Sequence, residues 1–115
     1  MATLTLPLKG KWFNMIKSGE KKEEYREITD YYRKRFFDGW DSVKANGIWW
    51  YNEKFEQYPT YKYFDTLVFT LGYPKAEDME RRLVFKNPRI RIGEGRPEWG
   101  AEPGKLYYVI TWEIQ

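Results

Sequence analysis

Lys21, Glu24 and Arg26 bring an ammonium, a carboxylate and a guanidinium into one short stretch, Gly19-Glu20-Lys21-Lys22-Glu23-Glu24-Tyr25-Arg26. In a strand, Glu24 and Arg26 are two apart and share a face. Partly buried, such a pair fixes the orientation of each partner and presents a donor and an acceptor to a base edge or a small polar ligand. Lys21 has the other parity, and it joins that face only where the chain bends or bulges near Lys21–Lys22. The same trio also permits hydrolysis: Glu24 would activate water while Lys21 and Arg26 stabilise developing negative charge, in a cleft dry enough to tune the carboxylate or the amine. Spread over an open surface, the three residues are an ion-pair row of little energetic value.

Other chemistries are closed to this chain. None of its 115 residues is cysteine or histidine. A disulfide framework, a Cys/His zinc site, a thiol nucleophile and a Ser-His-Asp triad are therefore excluded. No Asp/Glu cluster has the spacing of a metal-binding loop, so neither a metal nor a cofactor is expected. No stretch reaches the ~20 apolar residues of a membrane span. Met1 to Leu8 lacks the basic start and long apolar run of a signal peptide, which makes the expected location cytoplasmic, without a membrane partner. The length suits one domain over residues 1–115.

The net charge of +3 is unevenly spread. Both ends of the chain are basic and the middle is acidic, so ends that meet in the fold would make one positive face. The densest basic stretch holds Arg81, Arg82, Lys86, Arg89, Arg91 and Arg96, opposed only by Glu94. Arginine suits bidentate phosphate contacts and stacking on bases; the same charges would also keep a strand edge soluble. Trp, Tyr and Phe number 6, 10 and 7 against 18 Leu, Ile and Val together. The core must be built largely from rings, with some left to stack on bases or sugars.

The elements that position these groups follow from periodicity. Thr3-Leu4-Thr5-Leu6-Pro7-Leu8 alternates and reads as a strand, with Pro7 tolerable at an edge. Lys11 to Ser18 reads as a helix with Trp12, Met15 and Ile16 on one face, stopped by Gly19. Lys21 to Ile28 reads as a polar strand whose one face lines a wet cleft. Thr29 or Asp30 caps a basic helix over Tyr31–Phe37 that ends at Asp38-Gly39. Residues 40–63, with Trp49-Trp50-Tyr51, read as an aromatic excursion containing a helix. Thr66–Gly72 is a central strand. Arg81–Ile92 is a strand pair or one bent strand broken at Asn87-Pro88, its arginines facing one way in Arg89-Ile90-Arg91-Ile92 and its isoleucines the other. Gly93–Gly104 is a loop, and Leu106–Ile114 is the last strand. About five strands with short flanking helices make an α+β chain, for which a small, partly open mixed barrel is the natural solution.

Gly19, Lys21, Glu24 and Arg26 together match the pattern G-x-K-x-x-E-x-R. Placed after a strand and a short helix, the segment resembles the signature of the ASCH domain, a small β-barrel similar to the RNA-binding PUA domain. Leu6-Pro7-Leu8 and Ser18-Gly19 also look like that family's opening. Ile92-Gly93, Trp99-Gly100-Ala101 and Tyr107 to Ile110 look like the tail of small stand-alone bacterial or phage-type members. The resemblance implies a PUA-like domain that binds RNA or a nucleotide in a charged cleft walled by Lys21, Glu24 and Arg26 and flanked by Arg89 and Arg91. Some relatives are ribonucleases, and one branch removes an acyl group from a modified cytidine; the resemblance implies for that branch a Thr nucleophile activated by the motif Lys. Glu24 stands where that Thr would be, which leaves the general-base hydrolase as the alternative to pure binding.

Further candidates lie outside the motif. Arg33, in Arg33-Lys34-Arg35, is placed to touch phosphates or to sit on a solvated helix face. One of Trp49 and Trp50 could face a cleft, since adjacent side chains diverge. Arg96, Glu98 and Trp99 could reach a ligand if the Gly93–Gly104 segment acts as a flap. Gly19 has a structural role, turning the chain at positive φ. An interaction domain using exposed aromatics is a third reading.

Overall fold

The computed structural model describes residues 2–38, 44–45, 48–49 and 60–113. They divide into two units, Met1–Arg26 with Phe64–Gln115, and Glu27–Tyr63. Unit one holds a five-stranded mixed sheet. β1 (Thr3–Leu8) is followed by α1 (Gly10–Lys17) and by the short β2 (Glu24–Arg26). After unit two come β7 (Thr66–Leu71), β8 (Arg82–Glu94) and β9 (Leu106–Glu113). The order across the sheet is β1-β7-β8-β9-β2, with β1 and β7 parallel and the other pairs antiparallel. The chain is thus α+β with a mixed sheet.

Alternation in β1 buries Leu4, Leu6 and Leu8. They stand opposite Leu67, Phe69 and Leu71 in the parallel register. β9 is covered on both faces, with Tyr107, Tyr108, Val109 and Ile110 all buried. Its Trp112 ring lies 5.1 Å from Phe69 and 5.3 Å from Phe85. Such ring pairs contribute about 0.5–1.5 kcal/mol each beyond the area they bury. In α1 the buried positions are Phe13 and Ile16, with Trp12 and Met15 only half-buried. The apolar stripe is therefore led by Phe13, one residue on from the expected Trp12.

Three expectations shift on the sheet. The strand expected over Lys21–Ile28 is confined to Glu24–Arg26, because the turn out of α1 takes up residues 18–20 and residues 21–23 are irregular. Arg81–Ile92 is one strand, running from Arg82 to Glu94, with a register shift between Lys86 and Arg89. Gly93 and Glu94, expected in the loop, extend that strand opposite Tyr107 and Leu106, and Pro97–Trp99 forms a 3-10 turn.

In unit two, α2 spans Asp30–Phe36, capped by the Thr29 hydroxyl, which accepts from the Tyr32 amide. It ends one residue before the expected Phe37, because Phe37 instead opens β3 (Phe37–Asp38) and stacks on Tyr61 at 4.2 Å. β3 pairs with β6 (Thr60–Tyr61), and β4 (Lys44–Ala45) pairs with β5 (Ile48–Trp49). Residues 40–43, 46–47 and 50–59, with Trp50 and the helix expected in this stretch, lie outside the described residues. No described helix is long and apolar enough to cross a membrane.

Candidate functional site

The site begins with a helix that has to stop. After Lys17, Gly19 adopts φ +87°, a conformation that favours glycine. The chain folds back, and the Lys21 amide donates to the Met15 carbonyl at 3.0 Å. Lys21 thus leaves a turn and not a strand, so strand parity no longer excludes it from the face of Glu24 and Arg26. Its ammonium lies 3.1 Å from Glu24 Oε1. The other carboxylate oxygen, Oε2, accepts from Arg26 Nη2 at 2.8 Å. The structure therefore gathers the three motif side chains around one carboxylate.

The register explains their burial. Glu24 stands opposite Ile110 and Arg26 opposite Tyr108, so both point to the face that carries those buried residues. Side-chain exposure is 1% for Lys21, 8% for Glu24 and 14% for Arg26. Withdrawing three charges from water costs several kcal/mol per ion unless each is paired. The pairing here is dense. Lys21 Nζ also donates to the Trp99 carbonyl at 2.6 Å, with the Trp12 and Tyr25 rings at 4.7 and 5.0 Å. Ring faces attract a cation most strongly where water is excluded. Burial pushes the Lys21 ammonium below its ordinary range, against the opposing pull of Glu24.

Arg26 Nη2 also donates to the Pro7 carbonyl at 2.6 Å. Ala2 and Leu8 direct their carbonyls to the β7 side, onto Asp65 and Gly72. Pro7, of the opposite parity, turns its carbonyl to the free edge, where its missing N–H costs no ladder bond. β1 and β2 are the two edge strands of the sheet, and this guanidinium links them through a side chain.

The segment after β8 closes on Lys21 by backbone approach. A Cβ at Gly95 would lie 2.7 Å from the Tyr25 ring and from Ala101 Cβ; one at Gly100, already at φ +102°, would lie 2.9 Å from Trp12. The Tyr25 hydroxyl donates to Glu23 Oε1 at 2.8 Å and accepts from the Arg96 amide at 2.9 Å. Burial pushes its pKa up to about 12. Trp99 thus reaches the cluster through its carbonyl, while its ring lies under the Arg96 guanidinium at 4.9 Å. Arg96 and Glu98 are exposed.

Other sequence candidates lie elsewhere. Arg89 stands opposite Thr111 and Arg91 opposite Val109, on the reverse face of the sheet from Glu24 and Arg26. Strand alternation sends both away from Glu24 and Arg26, and Arg91 reaches the cluster only from behind, through the Glu23 carboxylate that also accepts from Tyr25. Arg91 pairs there with Glu23 at 3.0 Å. Arg33 belongs to unit two, paired with Asp30 at 3.1 Å. Among the described residues no group of three or more acidic side chains is placed to hold a metal. Trp12, Tyr25, Pro7, Gly95 and Gly100 were not singled out as site walls from sequence; the only signal was the aromatic surplus, which does not say which rings surround a charge. Comparisons of the chain with protein-family models, with curated proteins and with solved structures find no match.

Proposed function

We propose that the chain is a small PUA-like, ASCH-type module that binds RNA or a nucleotide, with Lys21, Glu24 and Arg26 as the polar wall of its cleft. The observation that carries the reading is the withdrawal of three formal charges from water around Glu24. A buried ion cluster is a poor way to stabilise a fold, since apolar residues of similar volume do as well or better. A buried lysine with its proton affinity lowered is also a recurrent mark of a working site. The Arg26 link between the edge strands supports the barrel-like form of the domain. Net charge of the trio is positive, which suits a phosphate-bearing ligand, and the fixed carboxylate supplies the acceptor that distinguishes one base edge from another.

Binding is favoured over hydrolysis because both Glu24 oxygens are engaged by cations, so a water to be activated must compete for them. The test is a panel of nucleosides, nucleotides and short RNAs, read for both retention and turnover. The expected result is salt-dependent retention without product, weakened by Lys21→Met and by Arg26→Ala in variants that remain folded. Product formation abolished by Glu24→Gln would replace this reading with the hydrolase. Retention unchanged in every motif variant would remove the cluster from function.

A further inference from the structure

The register shift in β8 has a chemical consequence on the reverse face of the sheet. Lys86 stands opposite Glu113 and Arg89 opposite Thr111, so three residues of β8 span two of β9. In a regular strand Lys86 and Arg89, three apart, would point to opposite faces. The extra residue places both on one face, together with Arg91. Asn87 makes this possible: it adopts φ +53°, the only non-glycine residue with positive φ among those described. Its amide donates to Glu113 Oε2 at 2.6 Å and its backbone N–H to the Asp65 carbonyl at 3.0 Å. Pro88 follows, with no N–H to leave unpaired.

The result is a cationic row along β8 that advances by two residues of the facing β9, roughly 7 Å, at each step. Arg91 is tied to Glu23. The side chains of Lys86 and Arg89 have no hydrogen bond or ion pair with another described residue. Beside Arg89 lies a hollow of about 410 Å³ lined by Asn87, Arg89, Thr111, Trp112 and Glu113. Its polar groups are mixed: a guanidinium that only donates, a carboxylate that only accepts, and a hydroxyl that does both. A simple anion would meet the Glu113 carboxylate there. A nucleobase edge, which carries donors and acceptors side by side, matches the set.

The geometry points to a second nucleic-acid contact on this face: the backbone of a single strand follows Lys86, Arg89 and Arg91, and one base enters the hollow at the bulge. This rests on the reading that the chain binds RNA, and it places a contact on the face opposite the Lys21 cluster. Its substrate class is an extended single strand, because the row runs along one strand and the hollow beside Arg89 is open to one unpaired base.

The test is fluorescence anisotropy with a short fluorescein-labelled oligouridylate and a purine-containing counterpart, over a salt series. Lys86→Glu and Arg89→Glu, both at exposed positions, are expected to lower affinity on the order of tenfold each and to flatten the log–log salt dependence by ~0.7 per lost phosphate contact. Thr111→Val is expected to change the preference between the two strands while leaving the salt dependence as it was. Binding lost in Lys21→Met and untouched by the two charge reversals would overturn this second face and leave the proposed function standing. Loss in the reversals with Lys21→Met unaffected would do the opposite. An oligoglutamate of matched charge that competes as well as the RNA would overturn the nucleic-acid assignment.

Discussion

On one face of the sheet Lys21, Glu24 and Arg26 are withdrawn from water and hold one another; on the reverse face Lys86, Arg89 and Arg91 stand in it. The residue types are nearly the same, and the fold gives them opposite solvent environments. Buried charges are strongly coupled to the fold, because each depends on its partners to replace lost hydration. Exposed ones are screened and contribute little to stability, which leaves them available to a ligand. Charge composition alone does not distinguish charges held dry by their partners from charges that stand in water; what the fold packs against them does.

The comparison breaks first, if it is to break, at Glu24. Glu24→Ala leaves Lys21 and Arg26 buried beside each other without their shared carboxylate, and is expected to cost about 3–5 kcal/mol in urea unfolding. A loss below about 1 kcal/mol would mean that the cluster is wetter than its geometry implies. Gly95→Ala is expected to cost about 1–3 kcal/mol, since its methyl group meets the Tyr25 ring and Ala101, and the melting temperature reads this directly. On the reverse face, Glu23→Gln, which breaks the half-exposed pair with Arg91, is expected to cost less than about 1 kcal/mol. Arg89→Ala is expected to stay within about 0.5 kcal/mol of the parent while weakening nucleic-acid retention. Equal stability losses on the two faces would erase the distinction.

A pH series sharpens the same contrast without mutation. Burial lowers the proton affinity of Lys21, so the unfolded chain holds that proton more tightly. The contribution of Lys21 to stability therefore rises with pH as the folded form releases its proton, up to the ordinary lysine value of 10.5. Tyr25 acts in the other direction: its pKa is raised from 10.0 to about 12, so its contribution is present below 10 and falls as pH climbs toward 12. Lys21→Met should remove the rise, and Tyr25→Phe should remove the later fall, in denaturant midpoints measured across the alkaline range. A Lys21→Met variant with the parent's slope would show that the ammonium is not desolvated.

Much of the frame was readable locally. Alternation marked Thr3–Leu8 and the last strand, Gly19 marked the stop of the first helix, and Thr29 or Asp30 marked the start of the second, because these signals involve neighbours along the chain. The strand expected over Lys21–Ile28 is shorter in the fold, because a charged run has no periodicity to show where a turn ends. The bend at Asn87-Pro88 was visible as a break, and its effect on side-chain direction was not: a bulge changes parity only relative to a partner strand, and the partner lies more than twenty residues away.

The amino-acid order by itself determined which chemistries are open, through the absence of histidine and cysteine and the presence of Lys21, Glu24 and Arg26 in one short run. Only the tertiary structure decided that these three converge, that Trp12, Tyr25 and the Trp99 carbonyl enclose the ammonium, and that Arg89 and Arg91 face away. The physical reason is that charge type is a property of a residue, whereas desolvation and pairing are properties of what strands and loops distant in the chain bring against it.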